Sequence, residues 1–198
     1  MNQIWENILR NSVEESKAVK ARLLEVSGEA ILRGIEQMLT TIRNGGKILL
    51  CGNGGSAADA QHIAAELVIR LRGSKDRPAI AAQALTVDTS ILTAGANDYG
   101  FEFVFSRQIE ALGQLGDTLI AISTSGNSTN IIEAVNMAHE KGLYVIGLLG
   151  KDGGKLKKLV DLPIIVPSDD TARIQEAHIM IGHILCEVLE TELFPLSS

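Results

Sequence analysis

Lys47-Ile-Leu-Leu-Cys51-Gly-Asn-Gly-Gly-Ser56 decides the fold. An apolar run leads into a glycine-rich turn, and a helical pattern over 57–71 starts directly behind it. A strand without polar alternation is buried on both faces, which happens in parallel sheets covered by helices on each side. The same grammar repeats downstream. Apolar runs recur at Ala79-Ile-Ala-Ala82, Thr118-Leu-Ile-Ala-Ile122, Tyr144-Val-Ile-Gly-Leu148 and Leu162-Pro-Ile-Ile-Val166, with a helical pattern over 129–141. A long helix rich in Ile, Leu and Val is predicted over 171–194. Upstream, residues 1–45 read as two helices. Ile4, Ile8, Leu9 and Val13 share one face of the first, and Ile31, Ile35, Met38 and Leu39 share one face of the second. Asn44-Gly45-Gly46 ends the second, with glycine supplying the left-handed cap. The expectation is one α/β domain over 1–198, with an N-terminal helical extension at 1–45 and the α/β core and last helix at 46–198.

The chain has 198 residues, 45% of them hydrophobic and 21% charged, an ordinary globular composition. Its 18 Lys and Arg stand against 24 Asp and Glu, a formal charge of −6. With no basic excess it does not read as a binder of nucleic acid or anionic membranes. An anionic ligand would have to be held by local dipoles. The apolar runs are too short to span a bilayer, and the first twenty residues alternate polar and apolar at helical spacing, unlike a signal peptide. A cytoplasmic protein is expected. Cys51 and Cys186 lie in apolar surroundings and read as buried thiols of a reducing compartment. Both terminal helical regions carry more apolar surface than one small sheet covers, which predicts helices packing between subunits.

Two strand-to-helix loops carry the chemistry. One is 51–56; the other is Ser123-Thr-Ser-Gly-Asn-Ser128. Ligands of parallel sheets bind at the carboxyl ends of strands, where helix N-termini present free N–H groups. Ser123, Thr124, Ser125 and Ser128 add four hydroxyls to that positive end, and Gly126 allows close backbone approach. One such residue would be a helix cap; four in six residues favour a phosphate cradle. No Gly-Lys-Ser/Thr follows, so it is not a Walker loop. Behind the first loop, His62 and Glu66 stand one helical turn apart on one face, suited to proton transfer or metal ligation. Asn97-Asp98 lies in a Gly/Ala/Asn/Asp-rich stretch that reads as a turn. In the last helix, Gln175 and His183 lie about 80° apart and His178 and His183 about 140° apart, so the two histidines do not readily share a site. A lone histidine on an apolar helix is usually a core or interface residue.

Taken in order, Cys51–Ser56, Asp59-Ala-Gln-His62, Glu66, Ala96-Asn-Asp98, the 122–128 segment, Gly150-Lys-Asp-Gly-Gly154 and Arg173-Ile-Gln-Glu-Ala-His178 resemble the sugar isomerase (SIS) domain and, more narrowly, the phosphoheptose isomerase family. The likeness runs along nearly the whole chain. It implies a flavodoxin-like five-stranded parallel sheet, a homotetramer with active sites at subunit contacts, and a phosphorylated seven-carbon sugar as substrate. It implies sugar contacts at Asn53, Gly54, Gly55, Ser56, Glu66, Asn97, Asp98 and Gln175, and phosphate contacts at Ser123, Thr124, Ser125 and Ser128. Glu66 and His183 match the family's acid–base pair, and His62, Glu66, Gln175 and His183 match its zinc ligands, one ion per subunit. Ala172 departs from the Asp that some members carry there.

The implied reaction converts sedoheptulose 7-phosphate to D-glycero-D-manno-heptose 7-phosphate through a cis-enediol, the first step toward heptose for bacterial surface glycans such as lipopolysaccharide. A non-catalytic tetrameric relative that binds the bacterial replication initiator is the alternative. The presence of both Glu66 and His183 favours the enzyme. A phosphosugar-sensing regulator would usually carry a DNA-binding segment, and residues 1–45 hold no basic recognition helix.

Overall fold

The computed structural model describes residues 2–195. Five strands form one parallel sheet: β1 (Ile48–Gly52), β2 (Ala82–Ala84), β3 (Thr118–Ser123), β4 (Tyr144–Gly150) and β5 (Leu162–Val166), in the order β2-β1-β3-β4-β5. Register is continuous, with Leu50 opposite Ile120 and Ile120 opposite Ile146. β1 and β3 are buried along their whole length, as their unbroken apolar sequences require. Strand order reverses between β1 and β3, so the crevice at their carboxyl ends is the topological switch point of the sheet. Both glycine- and serine-rich loops open there.

Helices cover the two faces. α1 (Gln3–Arg43), α2 (Gly55–Val68) and α6 (Thr171–Leu193) pack on one side, around Leu23, Met38, Ile63, Leu67, Ile181 and Leu185. α3 (Thr89–Asp98), α4 (Ser106–Leu112) and α5 (Thr129–Glu140) lie on the other, around Phe105, Ile109, Ile131 and Val135. Asn2, Asp88 and Asp170 cap α1, α3 and α6 with side-chain oxygens.

Three expectations are corrected. The two N-terminal helices are one continuous helix of 41 residues. The break expected before residue 31 does not form because Ser27 docks instead: its hydroxyl donates to Ile165 O at 2.8 Å and accepts from Ile165 N at 3.2 Å, covering the β5 edge. The strand predicted at 79–82 begins its ladder only at Ala82. Ile80 is buried, but its amide bonds Leu67 O at the end of α2, so burial there reports packing and not pairing. The turn predicted around Asn97-Asp98 is the last turn of α3, capped by Asp88 at its start. Cys51 and Cys186 are free and buried, and burial pushes both thiols up to about 12. No helix among the described residues is long and apolar enough to cross a membrane.

His178 is the lone core histidine that its setting suggested. It is fully buried in α6, with Nε2 bonded to Leu149 O at 3.0 Å and Nδ1 without a partner. Burial lowers its pKa from 6.5 to about 4, against the pull of the Leu149 carbonyl. The fold holds the neutral ring, so its contribution is complete above about pH 6.5 and is lost as pH falls toward about 4. That loss reaches roughly 3 kcal/mol. Urea midpoints measured between pH 7 and pH 4 should fall more steeply for the wild type than for His178→Gln. Equal slopes would contradict the assignment.

Candidate active site

The 123–128 loop is built by backbone close approach. Gly126 has φ +65°, and a Cβ there would lie 2.0 Å from Gly153 O. Only glycine lets the 123–128 loop nest against the 150–154 loop, where Gly126 O accepts from Leu156 N at 3.0 Å. Asn127 ties the two loops again, its Oδ1 accepting from Lys155 N at 3.1 Å and its Nδ2 donating to Ser125 O at 2.8 Å. Ser125 Oγ accepts from Asn127 N at 3.2 Å.

Ser128 is the residue before α5, yet its hydroxyl does not cap the helix. It lies 3.2 Å from Ser123 Oγ instead, leaving the first amides of α5 to face the crevice. A hydroxyl pair beside free helix N–H groups is an arrangement that can hold an anion. Ser128 is thus not a side-chain cap of α5. Thr124 and Ser125 are half-buried on the same loop.

The loop after β1 is locked to this one by a reciprocal amide pair. Asn53 Nδ2 donates to Asn130 Oδ1 and Asn130 Nδ2 to Asn53 Oδ1, each at 2.8 Å. Gly55 lies under the Gln175 amide, whose Nε2 would be 2.4 Å from any added Cβ. Ser56 is buried in the first turn of α2, and Gly54 enters it at φ +57°. A cavity of about 480 Å³ opens between the loops, lined by Asn53, Phe101, Glu102, Ser128, Thr129 and Asn130. A smaller one, about 150 Å³, continues past Gly52, Gly54, Thr86 and Phe105.

Phe101, Glu102, Thr129 and Asn130 escaped the sequence reading. Gly100, at φ +101°, was the signal for the first two, since it ends α3 and turns the chain into the cavity wall. Asn97 and Asp98, expected to touch sugar, are exposed at the end of α3 and bond to each other at 2.7 Å. They do not line either cavity.

His62, Glu66 and His183 converge elsewhere. His62 Nε2 lies 2.9 Å from His183 Nε2 and 3.3 Å from Glu66 Oε1. α2 and α6 run side by side, bringing together residues 121 apart in sequence. This cluster is not beside the glycine loop, as the sequence suggested for Glu66. Ten residues of helix from Ser56 place it about 15 Å along α2. Gln175 likewise stays at the Gly55 end, about 12 Å of helix rise from His183. One chain thus holds Gln175 and the His62–Glu66–His183 cluster at different levels of the α2–α6 pair.

The donors suit a borderline cation in kind: two imidazole nitrogens and a carboxylate oxygen. Two of their separations, 2.9 and 3.3 Å, approach the roughly 3.3 Å edge of a tetrahedron with zinc–ligand bonds of about 2.0–2.1 Å. The imidazoles stand slightly closer than that edge because they bond each other. Among the described residues, no three His, Cys, Asp or Glu side chains close into a ready ligand set.

The family model for the SIS domain matches residues 13–150. A phosphoheptose isomerase of Clostridium acetobutylicum is 52% identical over 191 residues, covering 96% of each chain. The chain belongs to the SIS domain family, among the phosphoheptose isomerases. Another phosphoheptose isomerase, of Helicobacter hepaticus, is 56% identical over 163 residues, 82% of each chain. The solved phosphoheptose isomerase of Neisseria gonorrhoeae superposes with a TM-score of 0.88 at 47% identity, covering 94% of this chain and 99% of that one. The Clostridium relative aligns with almost the whole chain, while the SIS family model itself ends at residue 150, before α6.

Proposed function

We propose that the chain is an aldose–ketose isomerase that converts sedoheptulose 7-phosphate to D-glycero-D-manno-heptose 7-phosphate, early in heptose supply for bacterial surface glycans. The observation that carries this is the convergence of Glu66 and His183 on His62, in a chain whose relatives are named phosphoheptose isomerases. A protein kept only for binding has no need of that acid–base pair.

Conversion removes a proton from C1, forms a cis-enediol, and returns a proton to C2 while another moves from O1 to O2. Glu66 is the carboxylate for the carbon-bound proton, and His183 is the imidazole for the oxygens. Each placed group supplies roughly 10²–10⁴-fold. The 123–128 loop anchors the phosphate with hydroxyls and α5 amides. Ser123→Ala with Ser125→Ala should therefore raise KM by about 10-fold or more with little change in kcat, since each bond to a charged group contributes about 1.5–3 kcal/mol. An unchanged KM in that double variant refutes the phosphate assignment.

Zinc is the metal we assign to His62, Glu66 and His183, with Gln175 as the expected fourth ligand; since Gln175 of the same chain lies about 12 Å of helix rise from His183, it would have to come from a neighbouring copy. When bound, it would polarise the carbonyl and steady negative charge on the substrate oxygens. Protein purified without chelators should hold roughly one zinc per chain, and exhaustive chelation should abolish turnover until zinc is restored. Full activity without metal would remove zinc from the reaction.

The family resemblance implies a homotetramer with active sites at subunit contacts, and Glu66 stands about 15 Å of helix rise beyond Ser56 of the glycine loop. Ile4, Trp5, Ile8, Leu9 and Val13 leave an apolar face of α1 exposed, 55–71% of each residue, which a neighbouring copy would cover. A cytoplasmic setting accords with two unpaired thiols.

A further inference from the structure

The last turn of a helix leaves carbonyls without intrahelical donors. At the end of α2 one buried arginine supplies them. Arg77 Nη2 donates to Glu66 O at 2.7 Å, and Nη1 donates to Leu67 O at 2.9 Å. Its Nε donates to Glu190 Oε1 on α6 at 2.8 Å, with the two side chains 0% and 1% exposed. The same carboxylate oxygen accepts from Leu71 N at 2.8 Å, and Lys75 Nζ donates to Glu190 O at 2.8 Å. Burial alone would raise the Glu190 carboxyl. The Leu71 amide and the Arg77 guanidinium outweigh it and hold the group below the usual carboxylate range.

A buried ion pair is weak evidence for stability, because desolvating both charges offsets most of their attraction. Its geometry has a separate consequence here. Arg77 grips the backbone of the residue that carries the Glu66 carboxylate, and it pins that turn to α6. His183 stands two turns before Glu190 on the same helix. The contacts within the cluster, 2.9 and 3.3 Å, do not survive a small slide of α2 along α6.

We infer that the buried Arg77–Glu190 pair is a positioning device for the acid–base cluster, fixing the last turn of α2 against α6 and so setting Glu66 relative to His183. The inference rests on the isomerase reading above. Arg77 touches no substrate; it acts through Glu66.

The test uses the full chain on sedoheptulose 7-phosphate, with kcat, KM and thermal midpoint measured for Arg77→Lys and for Arg77→Met combined with Glu190→Leu. Replacing both charges by apolar groups is often neutral for stability, yet it leaves Glu66 O without its donor. The double variant should melt within a few degrees of the wild type while kcat falls roughly tenfold or more. KM should stay within about twofold, because the phosphate loop sits on other elements. Arg77→Lys keeps the charge but offers a point donor in place of a fork, so its kcat should fall between the two. Wild-type kcat in the folded double variant overturns the inference. Should the double variant fail to fold, wild-type kcat in Arg77→Lys overturns it, and reduced kcat at unchanged KM upholds it. No turnover by the wild-type chain defeats the isomerase reading itself, and this inference with it.

Discussion

Glu66→Gln and His183→Asn should each lower turnover by roughly 10²-fold or more while phosphosugar affinity stays within a few-fold. Both changes are near-isosteric and leave the 123–128 loop untouched. The combined variant should lose less than the product of the two, since residues acting as one unit are not additive. Rapid-quench or coupled assays under saturating substrate give kcat directly, and isothermal titration with the sugar phosphate gives affinity. The distance along α2 adds a sharper outcome. If the loop of one copy serves the cluster of another, mixing Glu66→Gln chains with Ser123→Ala/Ser125→Ala chains should restore part of the lost activity, because some mixed sites contain only intact residues. Independent sites within each chain would leave the mixture no more active than its parts. A wild-type chain that binds the sugar phosphate without isomerising it, and binds a replication initiator tightly, would place it with the non-catalytic relative.

Gly126→Ala should raise KM on the order of 10²-fold, the largest single effect expected outside the acid–base pair. An alanine at φ +65° is strained by about 1 kcal/mol, and its methyl would overlap the Gly153 carbonyl at 2.0 Å. The 150–154 loop has to retreat, and with it go the Asn127 bonds that hold Ser125 and the first amides of α5 in place. The sheet lies below this loop and does not depend on it, so thermal stability should fall by only a few degrees. Measuring KM alongside melting separates the two effects. A Gly126→Ala chain with wild-type KM would show that the two loops do not jointly form the phosphate site.

The α/β class was legible because strand burial is a local property. A run such as Thr118-Leu-Ile-Ala-Ile122 has no polar alternation, and it can only be covered on both sides. The hydroxyl-rich loop at a strand-to-helix junction was legible for a similar reason, since Ser123 to Ser128 lie within six residues, from the end of β3 to the start of α5. The length of α1 was not. The apolar faces at 4–13 and 31–39 read as two helices, whereas the chain between them continues as one helix whose Ser27 bonds the β5 edge 138 residues away. Asn97 and Asp98 were read as a turn because their composition favours one, and the Asp88 cap that makes them helical lies nine residues upstream.

Sequence alone determined the parallel sheet, the two chemical loops and the pairing of His62 with Glu66, all of which follow from periodicity within one element. Only the tertiary structure decided that His183 meets His62 and that Gln175 stays over Gly55. Those facts depend on how α2 and α6 lie against each other on one face of the sheet. That register is set by non-local contacts such as Ile63 against Gly182 and Arg77 with Glu190, which leave no periodic trace in the chain.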